Sequence, residues 1–173
     1  RTEQRVFEQE LWQAANHDPL TGGHNRRCAD DILAREIRGA DTGLHPLSLI
    51  LFDLDHFKAI NDAFGHSMGD EVLKSVVRTI RSRMRVSDYL VRWGGEQFAL
   101  ILPGTDRRGA VALAESLRRQ VAQTSISRNL DPVHISIGVG QYRMGEGQRA
   151  WFRRIDDALY RAKMNGRNRV EAA

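Results

Sequence analysis

The 173-residue sequence is poor in several things, and each shortage excludes something. Its single cysteine, Cys28, rules out an internal disulfide and any cysteine-built zinc site, so the core has to hold by packing alone, as it does in a reducing compartment; a cytoplasmic location is expected. No apolar run approaches the roughly 18 residues that would cross a bilayer, and no signal-peptide pattern occurs, so this domain is expected to make no direct membrane contact. Four prolines and 15 glycines are too few for a collagenous or low-complexity chain. Lysine is scarce too: of 26 basic residues only Lys58, Lys74 and Lys163 are lysines and the rest are arginines. Arginine favours planar, bidentate contacts to phosphate, and a formal charge of +4 suits a polyanionic ligand. An arginine-rich surface without function is the other reading. With no continuous basic stripe and no aromatic stacking platform, nucleic-acid binding is not expected.

What is present, 41% apolar and 28% charged residues, is the composition of a globular protein, and the length fits one domain at about 100 to 200 residues each. The first residue is Arg1 rather than Met, which predicts a longer polypeptide upstream. Phe7, Leu11 and Ala14 form a short apolar stripe on a helix over residues 1–15, either the end of a coiled coil or a helix docked on its own core. Helical patterns follow at 26–38, ended by Gly39, at 69–84, at 106–123, and at 149–165, ended by Gly166. Strand patterns fall at 47–55, 89–93, 98–102, 133–142 and 169–171. The alternation predicts a single α/β sandwich around a mixed sheet.

Asp53 and Asp55 end the apolar strand two residues apart, on one face of the sheet. Buried carboxylates need partners, and a hard divalent cation that takes one or two carboxylates plus substrate phosphates is one; capping of the next turn is the other. In Gly94-Gly95-Glu96-Gln97 a carboxylate sits at a tight turn whose glycines permit unusual backbone angles and close approach of a ligand, or else the turn is merely structural. Should this hairpin pair beside the first strand, Glu96 and Asp53 converge as in a nucleotidyl-transfer site. Between them lies a polar stretch from Lys58 to Asp70, in which Lys58 could face a phosphoryl group while Asn61 and Asp70 together match the donors and acceptor of guanine. Taken singly, Asn61 reads equally as a turn former and Asp70 as the N-cap of the next helix. No Walker loop and no nucleophile elbow occurs.

Five segments in order, Asp18-Pro19-Leu20-Thr21-Gly22, Asn25-Arg26-Arg27, the Asp53 to Asp70 block, Arg92 to Phe98, and Ala158-Leu159-Tyr160 through Lys163 to Gly166-Arg167-Asn168, give the chain a close resemblance to GGDEF domains, the diguanylate cyclase family. The resemblance covers about residues 17 to 171. It implies an α+β, palm-like fold related to adenylyl cyclase catalytic domains over 17–173, preceded at 1–16 by a signalling helix from an upstream sensory domain. It also implies condensation of two GTP into cyclic di-GMP and two pyrophosphates by a homodimer of facing domains. Position by position, Asp53, the carbonyl of Leu54 and Glu96 would hold Mg²⁺, or Mn²⁺ in its place, with Glu96 taking the 3'-hydroxyl proton. Lys58 would stabilise the transition state, Asn61 and Asp70 would read guanine, and His66, Gly94 and Gly95 would lie at the substrate. Lys163 and Arg167 would contact the terminal phosphates.

Arg85-Val86-Ser87-Asp88 stands where the family places its inhibitory product site, which implies cyclic di-GMP bound at Arg85 and Asp88; a helix C-terminus with a loop aspartate is the plainer reading. The helix after the signature carries Ala112 and Ser116 where some members have a further arginine. The chain departs from the family at Gln97, where a second acid is usual, so a silent module that binds GTP or cyclic di-GMP and signals to a partner is the alternative function. Gly23 and His56 are smaller departures, read as packing changes.

Overall fold

The computed structural model describes residues 2–173. A six-stranded mixed sheet runs in the order β1-β3-β4-β2-β5-β6, where β1 is His24–Asn25, β2 Leu47–Leu54, β3 Tyr89–Arg92, β4 Gln97–Pro103, β5 Ile135–Gln141 and β6 Val170–Ala172. The central strands pair antiparallel, while the two outermost, β1 on β3 and β6 on β5, pair parallel. The described residues also form six helices: α1 Thr2–Asn16, α2 Arg26–Asp41, α3 Phe57–Phe64, α4 His66–Arg81, α5 Arg107–Gln123 and α6 Gly147–Met164.

β2 is central because nearly every residue in it is apolar, and its alternation feeds two cores. Ile50, Phe52 and Leu54 join the cluster under α4 and α5, while Leu47, Leu49 and Leu51 join that under α2 and α6. Asp53 follows the second parity, so its carboxylate faces α6. Gly138 on β5 lets that helix come close: a Cβ there would overlap the Ile155 carbonyl and the Leu159 amide. This approach brings the C-terminal turn of α6 over the end of β2.

Several boundaries differ from the sequence expectations. α2 continues through Gly39 to Asp41 because its start is fixed by Asn25, which accepts from the Cys28 N–H at 3.0 Å, and Ala40 beyond the glycine is buried. α4 begins at His66 rather than Gly69, with Gly65 at φ 88° before it, so Asp70 lies inside the helix and is not its N-cap. α3, expected as irregular polar chain, is a helix entered through His56 in the left-handed region at φ 56°. α1 has no buried residue; Phe7 is 61% exposed and Leu11 54%, so docking on its own core is excluded. No helix among the described residues is long and apolar enough to cross a membrane.

Candidate active site

The expected convergence occurs. β2 and β4 are antiparallel neighbours with Asp53 opposite Gln97, and the Leu54 N–H donates to the Glu96 carbonyl at 3.2 Å. Glu96, at the exposed tip, therefore stands next to the partly buried Asp53. Lys163 of α6 makes an ion pair with Asp53 Oδ2, while Asp53 Oδ1 is buried without a hydrogen-bond partner. Burial pushes the Asp53 carboxyl above its ordinary pKa; Lys163 pulls it back, and the negative charges of Glu96 and Asp156 push it further up.

The second acid of the strand end behaves differently. Asp55 is buried and fully engaged: Ser136 Oγ donates to its Oδ1 at 2.6 Å, and the Asn168 N–H donates to Oδ2 at 2.9 Å. Both Asp55 oxygens hold the strand end in place while Asp53 keeps one oxygen without a hydrogen bond, so of the two acids Asp53 is the one placed to offer an oxygen to a cation. The Asp55 contact with Asn168 depends on a backward turn, Gly166 at φ 120°, Arg167 at 62° and Asn168 at 43°. That turn leaves Arg167 exposed one residue before the clamp.

The signature turn is held in a way that sequence reasoning missed. Arg92 donates from Nη2 to the Gly95 carbonyl at 2.8 Å and from Nη1 to Asp18 Oδ1 at 3.1 Å. Asp18 also accepts from the N–H and hydroxyl of Thr21. Burial raises the Asp18 carboxyl, but Thr21 and Arg92 together hold it below the usual range. A signal was there, an acid and an arginine each beside a glycine turn 74 residues apart, but nothing in their local pattern joins them. The expected unusual backbone at Gly94 and Gly95 is absent: neither lies in the left-handed region. What Gly95 supplies is space, for a Cβ there would meet nothing within 4 Å.

Asn61 on α3 lies against Gly69 on α4, where any Cβ would overlap Asn61 Oδ1, and that buried oxygen has no hydrogen-bond partner. Asp70 follows directly and is exposed, as are His66 at the start of α4 and Lys58 on the first turn of α3. Gly69 thus lets Asn61 lie against α4 one residue before Asp70. Arg85 and Asp88 lie apart from this group, beside the other end of β4. The Arg85 N–H donates to Asp88 Oδ2 at 2.8 Å, its guanidinium contacts the Thr105 hydroxyl, and both residues line a groove of about 430 Å³. Asp88 is buried, and its Oδ1 accepts no hydrogen bond. Neither Ala112 nor Ser116 lines this groove.

A strand-end carboxylate, a glycine turn carrying a second one beside it and a lysine paired with the first make up the site. The family model described as "Diguanylate cyclase, GGDEF domain" matches residues 15–169, and the chain belongs to that family. It is 47% identical over 172 residues, 99% of its length, to the diguanylate cyclase DgcM of Escherichia coli, and 41% identical over 159 residues to the response regulator PleD of Caulobacter vibrioides. It spans about two fifths of those relatives' lengths, 42% and 35%. The crystal structure of the coiled coil and GGDEF domain of DgcB from Caulobacter crescentus in complex with c-di-GMP superposes with a TM-score of 0.93 at 32% identity, covering 99% of this chain and 93% of that one.

Proposed function

We propose that this domain is a diguanylate cyclase that joins two GTP into cyclic di-GMP and two pyrophosphates at a site shared by two facing copies. The observation that carries the reading is Asp53 beside Glu96 with one buried oxygen unpartnered. Two adjacent carboxylates, one with a buried oxygen that accepts no hydrogen bond, fit Mg²⁺, an ion that takes one or two carboxylates and completes its shell with water and phosphate. Asp53, the Leu54 carbonyl and Glu96 would hold it; when bound, it supplies charge neutralisation at the α-phosphate. Asn61 Oδ1 and the Asp70 carboxylate accept from guanine. Lys163 exchanges Asp53 for a terminal phosphate alongside Arg167, with His66 at the substrate, and Lys58 faces the charge that develops in the transition state.

In each half-reaction the 3'-oxygen of one GTP bonds to the α-phosphorus of the other, the bond from that phosphorus to pyrophosphate breaks, and the hydroxyl proton passes to Glu96. Two such steps close the ring. The exposed stripe of α1, with Val6, Phe7, Leu11 and Trp12 all about half exposed or more, suits pairing with a second copy and continuation into an upstream sensory domain. The groove at Arg85 and Asp88 is the site for product inhibition, supported by the Asp88 Oδ1 that faces the Arg85 guanidinium at 3.6 Å and accepts no hydrogen bond, and Arg85→Ala should raise the product concentration needed for half-inhibition about tenfold or more. Incubation with GTP and Mg²⁺, followed by chromatography, tests the whole reading: wild type yields cyclic di-GMP and Glu96→Ala none. A second reading, a silent binding module, rests on Gln97, whose amide carries no charge opposite Asp53. Nucleotide binding without any turnover would favour it.

A further inference from the structure

The sheet is used unequally around the catalytic edge. The proposed guanine readers belong to α3 and α4, on the side of the α4 and α5 core. On the opposite side, between α2, α6 and the signature hairpin, a cleft of about 650 Å³ opens that substrate binding leaves without a task. Arg26, Arg149 and Arg153 line it, all exposed, and none of their guanidinium groups has an ion pair or hydrogen bond among the described residues. Asp156 is the single acid in the lining. Arg26 is held over the Trp93 ring, 4.6 Å from its centroid, whereas Arg149 and Arg153 stand four residues apart on α6, share one face and can close together on a single carboxylate.

A shared site brings a second copy to this cleft. The facing nucleotide reaches Glu96 through its 3'-hydroxyl, while its guanine and phosphates stay on its own copy. The facing α3 and α4 therefore come within one nucleoside of the signature hairpin. This chain's own substrate runs from α3 and α4 across the end of β2 to Lys163 and Arg167, and the neighbouring surface that it leaves open is the cleft, with Trp93 and Gln97 of the hairpin in its wall. The surface that would meet it carries the matching charge. Asp62 stands four residues after Lys58 on α3, so the two share a face. It is exposed and has neither an ion pair nor a hydrogen bond among the described residues, whereas Glu71 on α4 is paired with Lys74 at 3.7 Å.

We propose that Arg149 and Arg153 bind the Asp62 carboxylate of the facing copy. A twofold axis makes the contact twice, and the pair of contacts fixes the arrangement in which each 3'-hydroxyl meets the other copy's acids. Like charges set against each other would disfavour other arrangements, so the contact selects one way of facing rather than adding to the hold on substrate. The inference rests on the cyclase reading, because it is the shared site that brings these two surfaces together.

The test is a mixing experiment. Arg149→Glu/Arg153→Glu and Asp62→Arg each set like charges against each other when two identical copies face. A pair made of one of each has both contacts again, one as in wild type and one with the charges exchanged. Each variant alone should form cyclic di-GMP at least about tenfold more slowly than wild type at the same protein concentration, and an equimolar mixture should recover to within about fourfold of wild type. Binding of a non-hydrolysable GTP analogue to each variant as dilute, monomeric protein should stay within about twofold of wild type. Asp62→Asn, which removes the charge without adding bulk beside Asn61, should slow turnover about threefold or more. Slow variants that do not recover on mixing would show that these residues act within their own chain and overturn the proposal. Weakened analogue binding by the monomer would assign them to the chain's own substrate, with the same consequence, and variants as fast as wild type would free the cleft for some other acidic partner. No product from wild type would remove the cyclase reading and this inference with it; product from wild type without recovery in the mixture overturns this inference alone.

Discussion

Asp53 and Asp55 lie two residues apart at the same strand end, and they are opposites. Asp55 is buried with a hydrogen bond on each oxygen, from a hydroxyl of β5 and a backbone amide of the Gly166–Asn168 turn. Asp53 keeps one buried oxygen without a partner and one on a lysine, with the charges of two more acids acting on it. A satisfied buried carboxylate ties three segments together; an unsatisfied one is a site that a ligand can complete. The region around Asp55 is built to hold, and the region around Asp53 is built to be filled.

The difference can be broken from either side. The largest expected effect is on chemistry: Asp53→Ala should lower cyclic di-GMP formation by at least about a thousandfold, with a melting temperature that does not fall, because a carboxyl raised by burial is lost. Steady-state rates and calorimetry on the same sample check both halves. Asp55→Ala should do the converse, losing about 2–4 kcal/mol of stability as the Ser136 hydroxyl and the Asn168 N–H lose their acceptor, visible as a melting temperature lower by roughly 5–15 °C. Arg92→Ala sits between the two. It frees the Gly95 carbonyl and strips Asp18 of its cation, so about 1–3 kcal/mol of stability and a measurable part of turnover should go together in denaturant and rate measurements.

The smallest effect is with pH. Asp18 and Glu146 both have pKa values held below the ordinary carboxylate range, against the upward push of burial, by Thr21 and Arg92 in one case and by Arg154 and Arg143 in the other. A depressed carboxylate contributes stability that is fully present above its unfolded pKa, near 4, and is lost as pH falls through the lower folded value. Wild type should therefore lose stability below about pH 4, and Arg92→Ala should show a shallower loss over the same window in acid titrations followed by circular dichroism.

Much of this was readable in the sequence. The apolar run of β2, its two terminal acids and the glycine hairpin point to the sheet centre and to the meeting of Asp53 with Glu96. The different fates of the two acids were not legible, because they depend on Ser136 and Asn168, more than 80 residues away. α3 escaped because it is eight residues long, has no capping side chain and starts from a left-handed His56. β1 is two residues long and exists only by pairing with β3. The N-cap reading of Asp70, the alternative to a guanine contact, falls because α4 starts at His66, four residues earlier, after a glycine that no side-chain pattern marks as a helix start.

The most direct test of the central claim is the rate of cyclic di-GMP formation from GTP and Mg²⁺ over a range of protein concentrations. A shared site predicts product that rises more steeply than linearly with protein. No product from folded protein, even with two copies joined through α1, would contradict it.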